Sequence, residues 1–183
     1  MKQLYNDFGT WIRRQLPYRV QKITIDAGFT CPNRDGRLGT GGCIYCNNAS
    51  FNPSYCHRNL SVTKQLEEGK AFFHKKYPDM KYLAYFQAFT NTYASLSHLK
   101  ELYEEALSVE GVVGLVIGTR PDCVTEGLLD YLVEIKETLD SPPSTLDSPP
   151  LIMVEYGVES ANDETLRRIN RGHDFACSRR AIE

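Results

Sequence analysis

Three cysteines close together in the chain are the residues with the clearest chemical potential. Cys31, Cys43 and Cys46 lie in a segment whose middle carries the run Gly-Thr-Gly-Gly at 39–42. Glycines let the backbone bend sharply, and the last two cysteines form a Cys-x-x-Cys pair whose thiolates can turn toward one metal centre. Three buried, inert cysteines would need no such glycine context. The segment therefore predicts a metal or cluster site formed by the three thiols.

The remaining cysteines offer weaker candidates. Cys56 is followed directly by His57, and this pair could complete a zinc site of the Cys-x-x-Cys plus Cys or His type. A zinc-stabilised binding module is therefore an alternative to a cluster protein. Cys123 and Cys177 are expected to be small buried hydrophobic residues, and His173 is expected to be structural or solvated.

The composition limits the classes of protein to which the chain can belong. Its 183 residues favour one domain, and 42% apolar with 24% charged residues is ordinary globular usage, which excludes wholesale disorder. The 21 lysines and arginines against 23 acidic residues give a net charge of −2, which excludes a global basic field for non-specific nucleic-acid binding. No apolar run is long enough to span a bilayer, and no apolar signal segment precedes the first charges. We therefore expect a cytoplasmic protein.

The elements that must position the cysteines alternate along the chain. Alternating polar and apolar residues predict a strand at 21–26, and three further strands are predicted at 81–87, 111–117 and 151–156. Apolar residues at helical spacing predict helices between them, at 63–77, 96–107 and 128–135. Asn162 is predicted to cap a short helix that reaches Asn170 and stops at Gly172. This alternation predicts an α/β fold with a parallel sheet.

Polar loops follow all four predicted strands. The cysteine segment follows the first, and the others are 87–93, 118–122 and 155–160. In parallel α/β folds, the chemistry collects in the loops at the carboxyl ends of the strands. Each loop alone is compatible with ordinary turn chemistry. Their placement at one rim predicts a functional site there.

One segment departs from this pattern. The hexapeptide Thr-Leu-Asp-Ser-Pro-Pro occurs twice in tandem, at 138–143 and 145–150. Its four prolines are incompatible with a helix or a central strand. We expect 138–150 to be an exposed loop insertion within a single domain at 1–183.

At the triple-cysteine segment the sequence resembles the radical S-adenosylmethionine (SAM) superfamily, whose signature is three closely spaced cysteines with an aromatic residue before the last. Tyr45 supplies that aromatic residue. The wide gap between Cys31 and Cys43 is similar to that of the YhcC/YtqA-like branch and of the radical domain of the Elp3 group. Further stretches that resemble this branch are 26–36, 85–93, 117–123, 155–160 and 170–173.

The resemblance implies the cofactors. Cys31, Cys43 and Cys46 would hold a [4Fe-4S] cluster, and three ligands leave one of the four irons open. The family fills that position with SAM, and an electron from the cluster cleaves SAM to methionine and a 5′-deoxyadenosyl radical. An electron donor of the flavodoxin or ferredoxin type is implied as a partner. The expected activity is that of a radical SAM enzyme.

The resemblance also implies the SAM contacts. Gln87 and Asn91 lie in the loop that meets the SAM amino group in the family, although the usual Gly-Gly-Glu is absent here. The other implied contacts are Tyr45 beside the cluster and the adenine, Arg120 or Arg171 on the carboxylate, and Glu155 and Glu159 on the ribose hydroxyls. The alternative interpretations are a core tyrosine for Tyr45, surface arginines for Arg120 and Arg171, and a helix or turn partner for Glu155. Catalytic residues toward a substrate are not assigned.

The family fold is a partial barrel of strand–helix units. About four such units are present, which implies a C-terminally incomplete barrel with part of the substrate wall absent. Similarity to the Elp3 group implies RNA as one candidate substrate, although the net charge of −2 does not support it. An inactive fragment of a radical SAM protein is a further alternative.

Overall fold

A computed structural model describes residues 4–47, 52–74, 79–137 and 149–183. Most of the duplicated proline-rich segment, 138–148, lies outside the described residues. Within these residues the chain forms four strands: β1 (Val20–Ile25), β2 (Lys81–Phe86), β3 (Val112–Thr119) and β4 (Leu151–Tyr156). Six α-helices are described: α1 (Phe8–Gln15), α2 (Val62–His74), α3 (Leu96–Ser108), α4 (Glu126–Glu137), α5 (Asp163–Arg168) and α6 (Phe175–Ile182). A short 3₁₀ turn, Pro121–Cys123, follows β3.

The strands form one sheet in the order β1-β2-β3-β4, and every neighbouring pair is parallel. The predicted α/β fold with a parallel sheet is therefore confirmed. The order follows the chain because each strand is separated from the next by helical residues that return it to the same end of the sheet. All four strand–loop junctions consequently lie at one edge.

The two faces of the sheet are covered differently. Ile23, Phe86 and Ile117 lie in a large apolar core that includes residues of α2, α3 and α4. Leu83 and Val116 point to the opposite face, where they pack with residues of α1 and the segment that follows it. Alternation of side chains along β2 and β3 explains this division.

Helix boundaries are set largely by capping side chains. Asp7 accepts a hydrogen bond from the backbone of Thr10 at 2.8 Å and starts α1, a helix that the sequence analysis did not predict. Asn162 accepts one from the backbone of Thr165 at 3.0 Å, so its predicted role as an N-cap is confirmed. The predicted end was wrong: α5 stops at Arg168, and Asn170 takes a left-handed conformation before Gly172 does.

No helix in the described part of the chain has both the length and the apolar composition needed to cross a membrane.

Candidate functional site

A cavity of about 340 Å³ lies at the edge of the sheet where all four strands end. The loops after β1, β2, β3 and β4 all contribute to it. Nine of the predicted site residues line it: Cys31, Cys43, Tyr45, Cys46, Gln87, Arg120, Glu155, Glu159 and Arg171. The residues that the sequence pattern predicted at one rim are thus brought together around one space.

Local turns shape the cysteine loop. The backbone nitrogens of Arg34 and Asp35 both donate to the carbonyl of Cys31, and Cys46 donates to the carbonyl of Cys43 at 3.0 Å. Gly42, just before Cys43, has φ +73°, a conformation that residues with a Cβ rarely adopt. These turns place all three cysteines in the lining of the cavity.

Arg120, which follows β3, lies beside the first thiol. Its side chain is 2% exposed, and its Nε and Nη2 donate to the two oxygens of Asp122 at 2.8 Å each. Its Nη1 donates to Cys31 Sγ at 3.8 Å. Burial alone would lower the pKa of Arg120, but the bonds to Asp122 outweigh burial and raise it. The guanidinium therefore stays charged.

Arg171, after α5, lies beside the second thiol. Its Nη1 donates to Cys43 Sγ at 3.6 Å, and its Nη2 donates to the carbonyl of Gly157 at 2.5 Å. Its Nε donates to Nε2 of His173 at 3.0 Å, which requires a neutral ring. Burial and the neighbouring guanidinium both lower the pKa of His173 and favour that neutral form.

Arg34, inside the cysteine loop, lies beside the third cysteine, Cys46. Its Nη2 donates to the carbonyl of Cys46 at 3.1 Å, and its Nε is buried without a partner. Its contact with Cys46 raises the pKa of Arg34, and the thiols of Cys31 and Cys43 raise it further. Sequence reasoning missed this residue, although it directly follows Cys31-Pro-Asn and could have been found from that position.

The cysteine loop is joined to the turn after α5 by two asparagines. Asn33 Nδ2 donates to the carbonyls of Asn170 and Arg171 at 2.7 and 3.0 Å and lies 3.6 Å from Cys43 Sγ. Asn170 Nδ2 donates in return to the carbonyl of Gly42 at 2.8 Å. The stretch 170–173, selected by resemblance, thus contacts the cysteines directly. The role of Asn33 was not predicted.

Glu155 occupies the floor of the cavity, on the sheet face that α1 partly covers. Its carboxylate accepts from Lys22 Nζ at 2.5 Å and from the Tyr85 hydroxyl at 2.8 Å. Lys22 also lies over the rings of Phe8 and Tyr85, with its Nζ 4.7 and 4.6 Å from their centroids. Burial and the neighbouring carboxylate raise the pKa of Tyr85, so its hydroxyl remains protonated and donates.

Tyr45 and Glu159 also line the cavity and are joined by a hydrogen bond. Tyr45 is half-exposed, and partial burial, opposed by Arg171, raises the pKa of its hydroxyl, with a further contribution from a hydrogen bond to Glu159. Glu159 also lies 3.9 Å from the Nη2 of Arg171. Gln87 lines the cavity from the end of β2. These three predicted contacts present polar atoms toward the space in which a ligand would lie.

Asn91 does not line the cavity. Its side chain is fully buried, and its Nδ2 donates to the carbonyls of Gln87 and Gly118 at 3.3 and 2.8 Å. It therefore joins the loop after β2 to the end of β3. Tyr103 supports it from the core by donating to its carbonyl at 2.6 Å.

Backbone strain is concentrated at this rim. Among the described residues, Phe89, Glu159 and Asn170 are the non-glycine residues with positive φ, at 66°, 65° and 56°. The first two line the cavity, and the third binds the cysteine loop. Such conformations cost roughly 1–3 kcal/mol each and cluster at functional sites, where the surrounding structure holds them.

The other cysteines lie elsewhere. Cys56 is 1% exposed in the main core, where burial raises its pKa to about 11, and it does not line the cavity. His57 is exposed. Cys123 and Cys177 are only half-buried, so the expectation of full burial was wrong for both: Cys123 lies in the 3₁₀ turn and Cys177 in the first turn of α6.

The three cysteines are the candidate ligands for a metal group at the cavity. Over 4–47, 52–74, 79–137 and 149–183, no three cysteines, histidines or carboxylates converge closely enough to hold one metal ion. Zinc would need ligands converging at about 2.3 Å for sulfur. A four-iron cluster gives each thiolate its own iron, so its three ligand sulfurs need not converge on one ion. Three thiols lining one cavity, with cationic side chains beside them, fit such a cluster.

Comparison with known proteins gives relatives without an assigned activity. No family model matches the chain. It is 42% identical to Protein YhcC of Escherichia coli K12 over 183 residues, which is 100% of the chain and 55% of that protein. It is 38% identical to the uncharacterized protein YtqA of Bacillus subtilis over 173 residues, 94% of the chain and 50% of the relative. It is 34% identical to the uncharacterized protein MJ0486 of Methanocaldococcus jannaschii over 182 residues, 98% of the chain and 52% of the relative. The chain thus spans about half the length of the curated relatives it matches.

Proposed function

We propose that the chain holds a [4Fe-4S] cluster through Cys31, Cys43 and Cys46 and binds SAM at the open iron, as the radical SAM part of an enzyme. The observation that carries the proposal is that these three thiols line one cavity at the carboxyl edge of a parallel sheet. Apart from Gly118 and Gly157, the residues that line the cavity from β2 onward are all polar or aromatic, as a polar, aromatic cofactor requires.

A cluster bound here would relay the one electron that cleaves SAM to methionine and a 5′-deoxyadenosyl radical. The chain's own residues bind and orient SAM. Gln87 would meet the SAM amino group, and Glu159 would accept from the ribose hydroxyl groups. Tyr45 would offer an aromatic surface to the adenine. Phe89 and Tyr85 add aromatic walls that exclude water.

Glu155 is a weaker candidate for a ribose contact than the sequence suggested. Both of its carboxylate oxygens already accept hydrogen bonds, one from Lys22 and one from Tyr85. A ribose hydroxyl would have to share an oxygen with one of these donors. We therefore assign ribose binding to Glu159 and a supporting role to Glu155.

The four-strand sheet would form part of the radical SAM barrel. A flavodoxin or ferredoxin would supply the electron. The substrate class stays a prediction: RNA is suggested only by similarity to the Elp3 group.

The first test is metal analysis after anaerobic reconstitution of the full chain with iron and sulfide. We expect about four irons and four sulfides per chain, since each of three thiolates takes one iron of a four-iron cluster. Cys43→Ala should lose the cluster, whereas Cys56→Ala should retain it because Cys56 lies in the core. One zinc per chain without iron, or equal iron loss in both variants, would contradict the proposed ligand set.

The second test is cleavage of SAM by the reduced, reconstituted protein. We expect slow formation of 5′-deoxyadenosine with dithionite as reductant, detected by chromatography, and none with Cys46→Ala. A loaded cluster that gives no more 5′-deoxyadenosine than this control would mean that the surviving loops do not form a working SAM site. The inactive-fragment alternative would then hold.

A further inference from the structure

Each of the three cysteines has its own arginine neighbour. Arg120 contacts Cys31, Arg171 contacts Cys43, and Arg34 contacts the carbonyl of Cys46. We propose that Arg120 and Arg171 are positioning residues for the cysteine ligands and are not partners of the SAM carboxylate. The two arginines donate to the cysteine sulfurs and raise the reduction potential of the cluster that the cysteines hold. This inference rests on the proposed function.

The bonds of Arg120 leave it poorly suited to bind a carboxylate. Its Nε–Nη2 edge is the fork that would receive a carboxylate, and Asp122 already occupies both positions at 2.8 Å. Its remaining nitrogen, Nη1, faces Cys31 Sγ at 3.8 Å. Because the side chain is only 2% exposed, it cannot turn outward without breaking these bonds and leaving a buried charge unpaired.

Arg171 has the same arrangement, built from different partners. His173 takes Nε at 3.0 Å and the carbonyl of Gly157 takes Nη2 at 2.5 Å, which leaves Nη1 for Cys43 at 3.6 Å. A Cβ added at Gly157 would lie 2.7 Å from Nη2. A glycine is therefore needed where this guanidinium crosses the backbone.

The two arginines carry the same consequence for redox chemistry. Hydrogen bonds to the sulfurs and nearby charges set the reduction potential of an iron–sulfur cluster. Reduction adds one negative charge to the cluster. A fixed cation and an N–H donor beside a ligand sulfur stabilise the reduced form more than the oxidised one, because the attraction grows with that charge. Removing either arginine should therefore make the cluster harder to reduce.

The test is the reduction potential of the reconstituted full chain, measured by electron paramagnetic resonance in a redox titration without SAM. Arg120→Gln and Arg171→Gln should each shift the potential to more negative values by at least a tenfold change in the reduction equilibrium, which is about 59 mV for one electron. The matched control is Arg37→Gln, because Arg37 is exposed and packs on Tyr93 instead of a thiol. It should leave the potential unchanged.

The affinity for SAM distinguishes an arginine that donates to a cysteine sulfur from one that binds the SAM carboxylate. Binding measured by equilibrium dialysis should change less than about threefold in Arg120→Gln, since Asp122 already occupies its fork. An unchanged potential with a large loss of SAM affinity would overturn the inference and assign Arg120 to the carboxylate. Absence of any iron–sulfur signal in the unmodified chain would instead contradict the proposed function.

A variant that keeps the positive charge guards against misfolding. Arg120→Lys retains a cation but cannot bind both Asp122 oxygens and Cys31 together. We expect it to fold, as checked by circular dichroism, and to show a smaller negative shift than Arg120→Gln. A potential equal to that of the unmodified chain in Arg120→Lys and in Arg171→Lys would show that the N–H···S contacts have no effect.

Discussion

Asn91 allows a direct test of whether a residue at the rim binds cofactor or supports the structure. The resemblance implied a SAM contact, whereas its buried side chain joins two carbonyls at the ends of β2 and β3. Asn91→Ala removes both bonds. If the amide is structural, the loss should appear in stability. If it contacts SAM, the loss should appear in ligand affinity.

The magnitude follows from those two bonds. A neutral hydrogen bond contributes roughly 0.5–1.5 kcal/mol net, so losing both costs about 1–3 kcal/mol. The side-chain oxygen of Asn91 is buried without a partner, and its removal offsets part of that cost. We expect about 1–2 kcal/mol, which lowers the urea midpoint by roughly 0.5–1 M for a protein of ordinary m value.

Two further variants sharpen the test. Asn91→Asp at pH 8 places a buried carboxylate against two carbonyl oxygens, so it should destabilise the protein more than Asn91→Ala does. Gln87→Ala removes a half-exposed side chain that lines the cavity, so it should weaken SAM binding with little change in stability. Unchanged stability in Asn91→Ala together with a large loss of SAM affinity would refute the structural role.

Three other substitutions test separate parts of the site. Gly42→Ala forces a Cβ to within 2.9 Å of the Arg34 guanidinium at φ +73°, so we expect it to lose about 1–2 kcal/mol in urea unfolding and to hold less iron. Glu155→Gln leaves the charge of Lys22 without its partner and should lower the free energy of unfolding by about 1–2 kcal/mol. An unchanged urea midpoint would contradict a stabilising contact between Lys22 and Glu155. Burial lowers the pKa of His173 below its ordinary 6.5, so the unfolded chain binds the proton more readily. The stability contribution of neutral His173 is complete above pH 6.5 and falls as the pH drops below it, and His173→Gln should remove this part of the pH dependence.

Much of the fold could be predicted because β2 and β3 are nearly continuous buried apolar runs, while β1 alternates polar and apolar residues. The prediction for β4, 151–156, matches the observed strand, and those for β1 to β3 differ by one or two residues at the ends. Strands buried on two faces leave a strong signal in a single sequence. Helix α1 was missed because it is only eight residues long, carries two arginines and buries only Ile12.

The site could be predicted as a set of residues but not as a set of roles. The cysteine loop and the polar strand ends are local features that a single sequence displays. The binding of Glu155 by Lys22 joins residues 133 positions apart and depends on strand register, which the sequence does not reveal. The burial of Asn91 beneath Gly118 depends in the same way on where β3 ends.

The strained rim bears on how the cysteine loop acquires its shape. Asn170 holds a left-handed conformation while its side chain binds the carbonyl of Gly42, and the carbonyl of Asn170 accepts from Asn33. Strain of roughly 1–3 kcal/mol persists only where surrounding contacts over-determine it. The polypeptide therefore fixes the positions of the thiols before any cluster is bound. The proposed cluster would then bind with a smaller loss of conformational entropy than in a loop that it had to order, because the protein has already fixed the ligands.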